Sequence, residues 1–391
     1  MYGFIGNYVD YLVTPNHRMW VRGCKRSARK NHGIRYRFET AKEIGDARSK
    51  RVVRQAGLLP DAGLSDDQTT WTIGTPPAYT TPLYRKLKRT TYYPLVLNIV
   101  DYAELLGWFI SEGSTLHTKK CRKYGIEISQ SQRANPEKFA RIACLLKRLG
   151  FRYTHKYNKK WSHLPVGFRV ANKQLYHHFL QCGIGCKNKT IPRYVFEFPL
   201  KARRILLDAL LMGDGSTHIE DYGTETKRYT TISRQLADDV QELALRTGLG
   251  ASVTEENRKT QTGNVVYRVG IFVTRTDAYL GEQDRSSARY YTQPYSGYVY
   301  CATVPSGLLI VRRNGKVLIT GNSDQTPARG SEEGQQAKRL SNQELGALVG
   351  HGAMSYLQEI STIKGTRNDE WAARYQAVSY THLTLPTIYS V

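Results

Sequence analysis

Acidic side chains are scarce in this sequence. Only 33 Asp and Glu stand against 57 Lys and Arg, leaving a formal charge of +24. A chain so short of acid suits a polyanion, nucleic acid first among them. A merely solubilising surface charge is the alternative. Long apolar runs are missing too. The longest, such as Leu105–Ile110 and Leu206–Met212, fall far below the roughly 20 residues of a membrane span, so no membrane partner is expected. No segment near Met1 joins a charged start, an apolar core and a small-residue cleavage site. A cytoplasmic setting, in a bacterial or phage-infected cell, is therefore expected rather than secretion. Cysteine is sparse and scattered, at Cys24, Cys121, Cys144, Cys182, Cys186 and Cys301. That spacing excludes a disulfide-stapled scaffold and fits a reducing compartment. What is present is apolar material at 40%, with 27 Tyr, enough to build cores. At 391 residues the chain predicts more than one domain.

The basic excess is uneven. Residues 1–100 carry 17 basic and 7 acidic side chains, residues 101–280 carry 29 and 17, and residues 323–391 carry 6 and 7. The polyanion-seeking part ends before the last seventy residues, so the tail reads as a different protein segment. Loop-rich stretches at Gly57–Pro82, Gly281–Gly297 and Ser323–Gln336 punctuate the chain.

The middle contains an internal repeat. One half opens with Glu104-Leu-Leu-Gly-Trp-Phe-Ile-Ser-Glu-Gly-Ser114, the other with Leu206-Leu-Asp-Ala-Leu-Leu-Met-Gly-Asp-Gly-Ser216. Each run reads as an apolar helix ending in a carboxylate and a glycine. Strand-like stretches follow at Tyr124–Ser129 and Tyr229–Ser233, then amphipathic helices. In the first helix Asn135 is placed as N-cap and Gly150 as stop; Gly248 ends the second. Further strands are expected at Gly167–Ala171 and Val265–Thr274. Small residues four apart, Gly107 with Ser111 and Ala209 with Gly213, let two helix backbones approach closely. Packed together, the two runs bring Glu112 and Asp214 to one edge. Paired carboxylates facing a basic surface suit a divalent cation such as Mg²⁺, which can polarise a phosphodiester and activate water.

Leu105–Gly113 and Leu207–Gly215 resemble the paired motifs of the LAGLIDADG homing endonucleases, over roughly 180 residues. The resemblance implies a pseudo-twofold αββαββα fold whose sheets saddle the major groove of double-stranded DNA. It implies that Glu112 and Asp214 are the metal-binding catalytic acids, with Mg²⁺ as cofactor, in a monomeric endonuclease. Lys189-Thr-Ile-Pro192 resembles the segment that precedes a second motif, so Lys189 is either an auxiliary catalytic lysine or a phosphate contact. Gln130, Gln132, Arg169, Arg234 and Arg268 are the candidate DNA-reading side chains, since Arg and Gln make bidentate contacts to guanine and adenine; each could instead touch only phosphate.

The flanks carry other chemistry. Before the repeat, strand-like Tyr11–Val13 leads into Thr14-Pro-Asn-His17; after it, Tyr298-Val-Tyr-Cys-Ala-Thr-Val-Pro305 precedes Leu318-Ile-Thr-Gly-Asn-Ser323. An Asn amide can attack its own backbone carbonyl and cut the chain behind it, Ser offers a hydroxyl nucleophile, and a His at a strand end can donate a proton. Together these blocks resemble an intein, whose two flanks fold into one β-rich Hint (horseshoe) splicing domain with the endonuclease as guest. The resemblance implies that Thr14 and His17 activate the N-terminal junction, that Cys301 replaces an assisting Asp, that Asn322 cyclises, and that Ser323 receives the acyl group. The family's opening Cys or Ser nucleophile has no counterpart, so the chain reads as starting inside such an element. The residue before the terminal Asn, commonly His, is Gly321; Leu308 stands where another His is frequent.

The expected architecture is thus α+β and multidomain. Residues 1–95 form the first splicing part with a linker, 96–280 the endonuclease (repeats about 101–200 and 201–280), and 281–322 the second splicing part. Residues 323–377 are a host segment, or C-extein, joined in cis. Arg339–Lys364 reads as helical and resembles the C-terminal part of the RNA polymerase β subunit; another host protein is the alternative. Residues 378–391 read like translated adapter DNA, or else a genuine tail. The competing functional readings are a free-standing endonuclease or maturase, and a catalytically inactive DNA-binding derivative. Cys182-Gly-Ile-Gly-Cys186 is expected as a turn with free thiols, His177-His178 as surface, and Lys25–Lys30 and Arg85–Arg89 as extensions of the DNA footprint or solvated loops.

Overall fold

The computed structural model describes residues 1–6, 8–23, 36–46, 51–54, 67–76, 92–118, 123–157, 164–219, 225–259, 263–272, 277–280, 289–297, 299–300, 302, 304, 307–322 and 348–352. The chain divides into two units, Met1–Ser323 and Asp324–Val391. Of the second, only 348–352 are described, so most of the expected 339–364 helix and all of 378–391 lie outside the described residues. So do Lys25–Lys30 and Arg85–Arg89.

The first unit begins with strands β1 (Tyr2–Ile5), β2 (Asp10–Val13), β3 (Arg18–Gly23) and β4 (Arg37–Thr40), helix α1 (Ala41–Asp46), and strands β5 (Arg51–Arg54), β6 (Thr70–Ile73) and β7 (Leu95–Asn98). The first repeat is α2 (Ile99–Glu112), β8 (Gly113–Thr118), β9 (Lys123–Ser129), α3 (Pro136–Arg148), β10 (Thr154–Tyr157), β11 (Pro165–Val170) and α4 (Lys173–Phe179). The second is α5 (Leu200–Asp214), β12 (Gly215–Ile219), β13 (Glu225–Thr231), α6 (Arg234–Arg246), β14 (Gly250–Lys259) and β15 (Val265–Phe272). Strands β16 (Asp277–Leu280), β17 (Arg289–Thr292), β18 (Leu309–Arg313) and β19 (Lys316–Thr320) follow. The expected αββαββ order thus occurs twice. No helix among the described residues is long and apolar enough to cross a membrane.

Helices α2 and α5 are the axis of the repeat. Leu105, Leu106, Trp108, Phe109, Leu206 and Leu210 are fully buried, each worth roughly 1.5–3 kcal/mol of apolar burial. A Cβ on Gly107 would lie 2.6 Å from Ala209 Cβ, and one on Gly213 would lie 2.4 Å from Ser111 Cβ. The small residues therefore permit the close helix contact that the sequence spacing predicts. Buried Glu104 of α2 is clamped by Arg141 and, at 3.0 Å, by Arg148, both of α3.

Two sheets flank this axis, in the orders β10-β11-β9-β8 and β12-β13-β15-β14-β19-β18. The second runs on past the repeat: Val253 N–H donates to Gly315 O at 2.9 Å, and the Gln241 amide donates to Ala251 O and Gly315 O. The terminal hairpin β18–β19 turns tightly at Asn314 and Gly315, both at positive φ, as two-residue hairpins require.

A smaller core joins the two ends of the unit. Phe4, Val9, Tyr11, Met19, Val21, Ala41 and Ile44 pack with Leu280 and Leu318. Strand β1 pairs with both β17 and β2, and the Tyr11 hydroxyl donates to Ile319 O at 3.1 Å. By contrast β6 and β7 pair with each other, and their Ile73 and Leu97 belong to the core of the repeat. Trp71 of β6 stacks on Tyr194 at 4.7 Å. The expected boundary at residue 95 therefore cuts a hairpin that packs with the repeat.

Candidate functional sites

The first site lies where α2 and α5 end. Each helix passes directly into a strand at Gly113 and Gly215. A Cβ there would come within 2.5 Å of Phe109 O or 2.3 Å of Leu211 O, so only glycine permits that close bend. Glu112 is half-buried and Asp214 is exposed at the rim. The Asp214 carboxyl is nonetheless pushed up to about 6, first by local desolvation and then by the charge of Glu112, against the pull of Tyr229, Lys189 and Lys138. Burial raises Glu112 as well, partly offset by Lys138. The charge of Glu112 thus disfavours ionisation of Asp214.

Lys189 stands on the same side and is buried. Its ammonium donates to Phe109 O and Gly113 O, each at 2.9 Å, and lies over the Phe109 ring at 4.1 Å. It caps the carboxyl end of α2, where unpaired carbonyls and the helix dipole attract a cation. Burial pushes it down to about 8, with Cys182, Asp214 and Cys186 pulling the other way. Its segment is anchored on α6: the Ser233 hydroxyl donates to Lys189 O at 2.7 Å, and buried Asp239 accepts from Thr190 Oγ1 at 2.7 Å and Ile191 N at 2.9 Å. A cavity of about 250 Å³ opens here, lined by Ser111, Gly113, Ser114, Lys189 and Asp214 among others.

Sequence reading missed two neighbours, Lys138 and Tyr229. Tyr229 of β13 is fully buried, and Asp214 and Glu112 push its ionisation upward after burial itself. Only the alternation of β13 hinted that this side chain faces inward.

The donor set fits a hard divalent cation, because carboxylate oxygens are its preferred ligands. Tyr229 lies buried beside them. No cluster of three or more His, Cys, Asp or Glu exists among the described residues. Glu112 and Asp214 are the residues that would hold the ion.

The expected DNA-reading side chains divide. Arg169 of β11 and Arg268 of β15 occupy the two sheets, and each is paired with a carboxylate, Glu127 and Glu256. Gln132 is half-buried in the turn after β9. Gln130 requires correction: it is 95% buried, accepting from Asn135 Nδ2 at 3.0 Å, and cannot reach a base from there. Arg234 also departs from expectation. It opens α6 rather than lying on a strand, pairing with Asp238 at 3.2 Å and covering the Tyr267 ring. Cys182 is a buried free thiol and Cys186 an exposed one, in a turn with Gly183 and Gly185 at positive φ. His178 is not a surface residue: Tyr102 Oη lies 2.7 Å from its Nε2.

The second site lies where β3 meets the end of β19, bringing together residues three hundred positions apart. A tight turn bonds His17 N–H to Thr14 O at 3.1 Å. His17 Nε2 lies 2.8 Å from Thr320 Oγ1, and burial, then Arg18, lowers the imidazole to about 4. Gly321 N–H donates to Arg18 O at 2.8 Å. The Asn322 carbonyl accepts from both Arg18 N–H and Arg18 Nε at 3.3 Å, while its side-chain amide donates to Ala302 O at 2.9 Å. Thr14 and His17 thus lie in the turn entering β3, and His17 reaches Thr320, two residues before Asn322. Cys301 and Ser323 lie outside the described residues.

Comparison with known proteins adds three similarities. The chain is 23% identical to the C-terminal section of the RNA polymerase β subunit of Stigeoclonium helveticum, over 91% of this chain and 35% of that protein. It is also 23% identical to the ATP-dependent Clp protease proteolytic subunit of Chlamydomonas moewusii, over 88% of this chain and 33% of that protein. The chain thus spans about a third of the length of these relatives. The homing endonuclease I-DmoI in complex with DNA and Mn is 18% identical, covering 44% of this chain and 90% of that one, with a TM-score of 0.33. The polymerase similarity extends far beyond the tail where the sequence placed it. Residues 201–281, which run from the first turn of α5 through β16, match the LAGLIDADG-like domain.

Proposed function

We propose that the repeat is a site-specific, Mg²⁺-dependent endonuclease of double-stranded DNA. The observation that carries this is the pair Glu112 and Asp214, at matching ends of two packed helices, with the Lys189 ammonium bonded to the α2 carbonyls in the same cavity as Asp214. The bound ion would polarise the phosphodiester and lower the pKa of its water. Glu112 and Asp214 would hold it. Lys189 acts through α2, fixing the turn that presents Glu112. Arg169, Arg268 and Gln132 are the side chains on or beside the sheets from which the bases are read, Arg234 reaches the backbone, and the two halves serve as one monomer. The test is a randomised duplex library incubated with Mg²⁺ and sequenced at its new ends. One recurrent cut sequence is expected; ends without any recurrent sequence would sink the site-specific reading.

A second activity is favoured by the contact between Arg18 and Asn322. We infer that residues 1–322 are an intein whose flanks form a Hint splicing domain around the endonuclease, with residues after Asn322 as host sequence. The polymerase and protease relatives support it. They share no chemistry, yet each resembles nearly all of this chain over a third of its own length, as expected of an inserted element. Thr14 and His17 would act at the N-terminal junction; Asn322 would cyclise, assisted by Cys301, and Ser323 would accept the acyl group. Asn322→Ala should abolish release of the segment beginning at Ser323, followed by mass spectrometry; continued release contradicts the assignment.

A further inference from the structure

A single exposed apolar side chain is ordinary on a protein surface. Ile184 differs by how it is held and where it stands. It is 64% exposed, although Cys182 and Lys189 on either side of it are buried. Gly183 and Gly185 flank it, both at positive φ, which places Ile184 at the tip of a tight turn. A Cβ on Gly183 would overlap Asn188 O, so the turn is closed against the residues that follow it. Four hydrogen bonds fasten it. Gly183 N–H donates to Leu180 O at 3.1 Å, Asn188 N–H to Gly185 O at 3.2 Å, and Thr190 N–H to Cys182 O at 3.1 Å. The Asn188 side-chain amide donates to Ile184 O at 3.1 Å. A turn fastened in this way keeps the isoleucine in one place, facing outward.

That place is the cavity beside the paired carboxylates. Ile184 lines it together with Lys189 and Asp214. Three residues on, Lys187 is exposed, a cation of the kind that meets phosphate. A phosphodiester drawn to Asp214 therefore has Ile184 as a neighbour. The isoleucine side chain has no atom that bonds a phosphate or a base edge. What it can meet in a duplex is apolar: a sugar ring, and the face of a base once a step opens. We propose that Ile184 is a wedge residue of the endonuclease, entering the groove beside the cut and parting the base step there. The proposal rests on the endonuclease reading above. Two effects oppose the cost of unstacking. The exposed side chain leaves water as it enters, and the opened step lets the duplex bend onto more of the basic surface.

A wedge must be stiffly mounted, because it pushes against stacked bases. Cys182, at the root of the turn, is fully buried in the core of the repeat. At the other root the Lys189 ammonium bonds Phe109 O and Gly113 O, which ties the turn to the end of α2. Ile184 and Glu112 thus share one support, and opening of the step is coupled to placement of the phosphate. The cysteine pair bracketing the turn draws attention to metal or redox chemistry, whereas the residue between the two glycines is the one presented.

The test uses the full chain and the duplex selected by the library, with a fluorescent adenine analogue, brighter when unstacked, placed in turn at each base position around the cut. Binding of the unsubstituted chain without metal should brighten the analogue at one step, and binding of Ile184→Ala should not. With Mg²⁺, Ile184→Ala should cut the paired duplex about 10-fold or more slowly, as loss of the buried methyl groups implies. A mismatch at that step should restore most of the rate, because a mismatched step is already loosened. Ile184→Thr keeps the branched shape, should behave as Ile184→Ala, and decides the case if Ile184→Ala does not fold. Cutting at the unsubstituted rate in a folded variant, a defect that the mismatch leaves in place, or no brightening at any step overturns the wedge and leaves the endonuclease reading standing. A chain that cuts no duplex, or full cutting by both Glu112→Gln and Asp214→Asn, overturns the endonuclease reading and the wedge with it.

Discussion

Single residues set both sites by what they exclude as much as by what they supply. Gly107 is the clearest case, because its missing Cβ is what lets α5 approach within 2.6 Å of where that atom would sit. Gly107→Val should force the helices apart, costing about 1–3 kcal/mol or more by overpacking and separating Glu112 from Asp214. Denaturant melts would show the loss, and an unchanged midpoint would mean the helix contact is slacker than it stands here. Lys189 was read from the sequence as either a catalytic lysine or a phosphate contact, but its ammonium is committed to two carbonyls. Lys189→Met should destabilise the fold by about 1–3 kcal/mol, the cost of buried acceptors left unpaired. A purely catalytic lysine would leave the melt unchanged. Two histidines give a pH signature. His17 and His178 both fall to about 4 through burial, against an ordinary value of 6.5. The unfolded chain therefore takes up those protons first. Their contribution is complete above about 6.5 and is lost as pH falls towards about 4, by up to about 2–3 kcal/mol each. Stability measured between those pH values should flatten in His178→Asn.

At the scale of elements, the apolar helices and their carboxylate ends were legible because the 3.6-residue period and the glycine stops are local signals. The helices α2, α3, α5 and α6 fall where that period places them. Strands β8 and β12 were not legible: Ser-Thr-Leu-His-Thr and Ser-Thr-His-Ile alternate too weakly, and each exists because β9 or β13 pairs with it. Nor could sequence show that Asn135 would donate to Gln130 rather than cap α3, since both bonds suit the same amide. The extension of the second sheet into β18–β19 depends on Gln241, which is remote in sequence from Gly315. Gln241→Leu should loosen that junction by about 1 kcal/mol, the worth of an ordinary hydrogen bond, because Gly315 O keeps the Val253 N–H. Amide exchange at Val317 and Leu318 should then rise while that of α2 holds. Equal protection in both forms would place the junction's strength elsewhere.

Over the whole molecule, the shortage of acid has a location. Residues 1–280 hold 46 basic and 24 acidic side chains, whereas residues 323–391 hold 6 and 7. The repeat with its flanks is the basic part, and the segment after residue 322 is nearly neutral. Binding to duplex DNA should accordingly weaken steeply with salt, by about 10³-fold or more between roughly 50 and 200 mM, if several of those side chains neutralise phosphates. A truncation after Asn322 should keep that slope, and loss of the slope with the tail would mean the tail carries the footprint. The central claim is that Glu112 and Asp214 together hold the cutting metal. Its most direct test is the rate of Mg²⁺-dependent cleavage by Glu112→Gln and Asp214→Asn on the duplex the library selects. Each should lose at least about 10²-fold in rate, as metal sites do when their shell is altered, while retaining duplex affinity in the absence of metal. Cleavage at the unsubstituted rate by either variant would contradict the account.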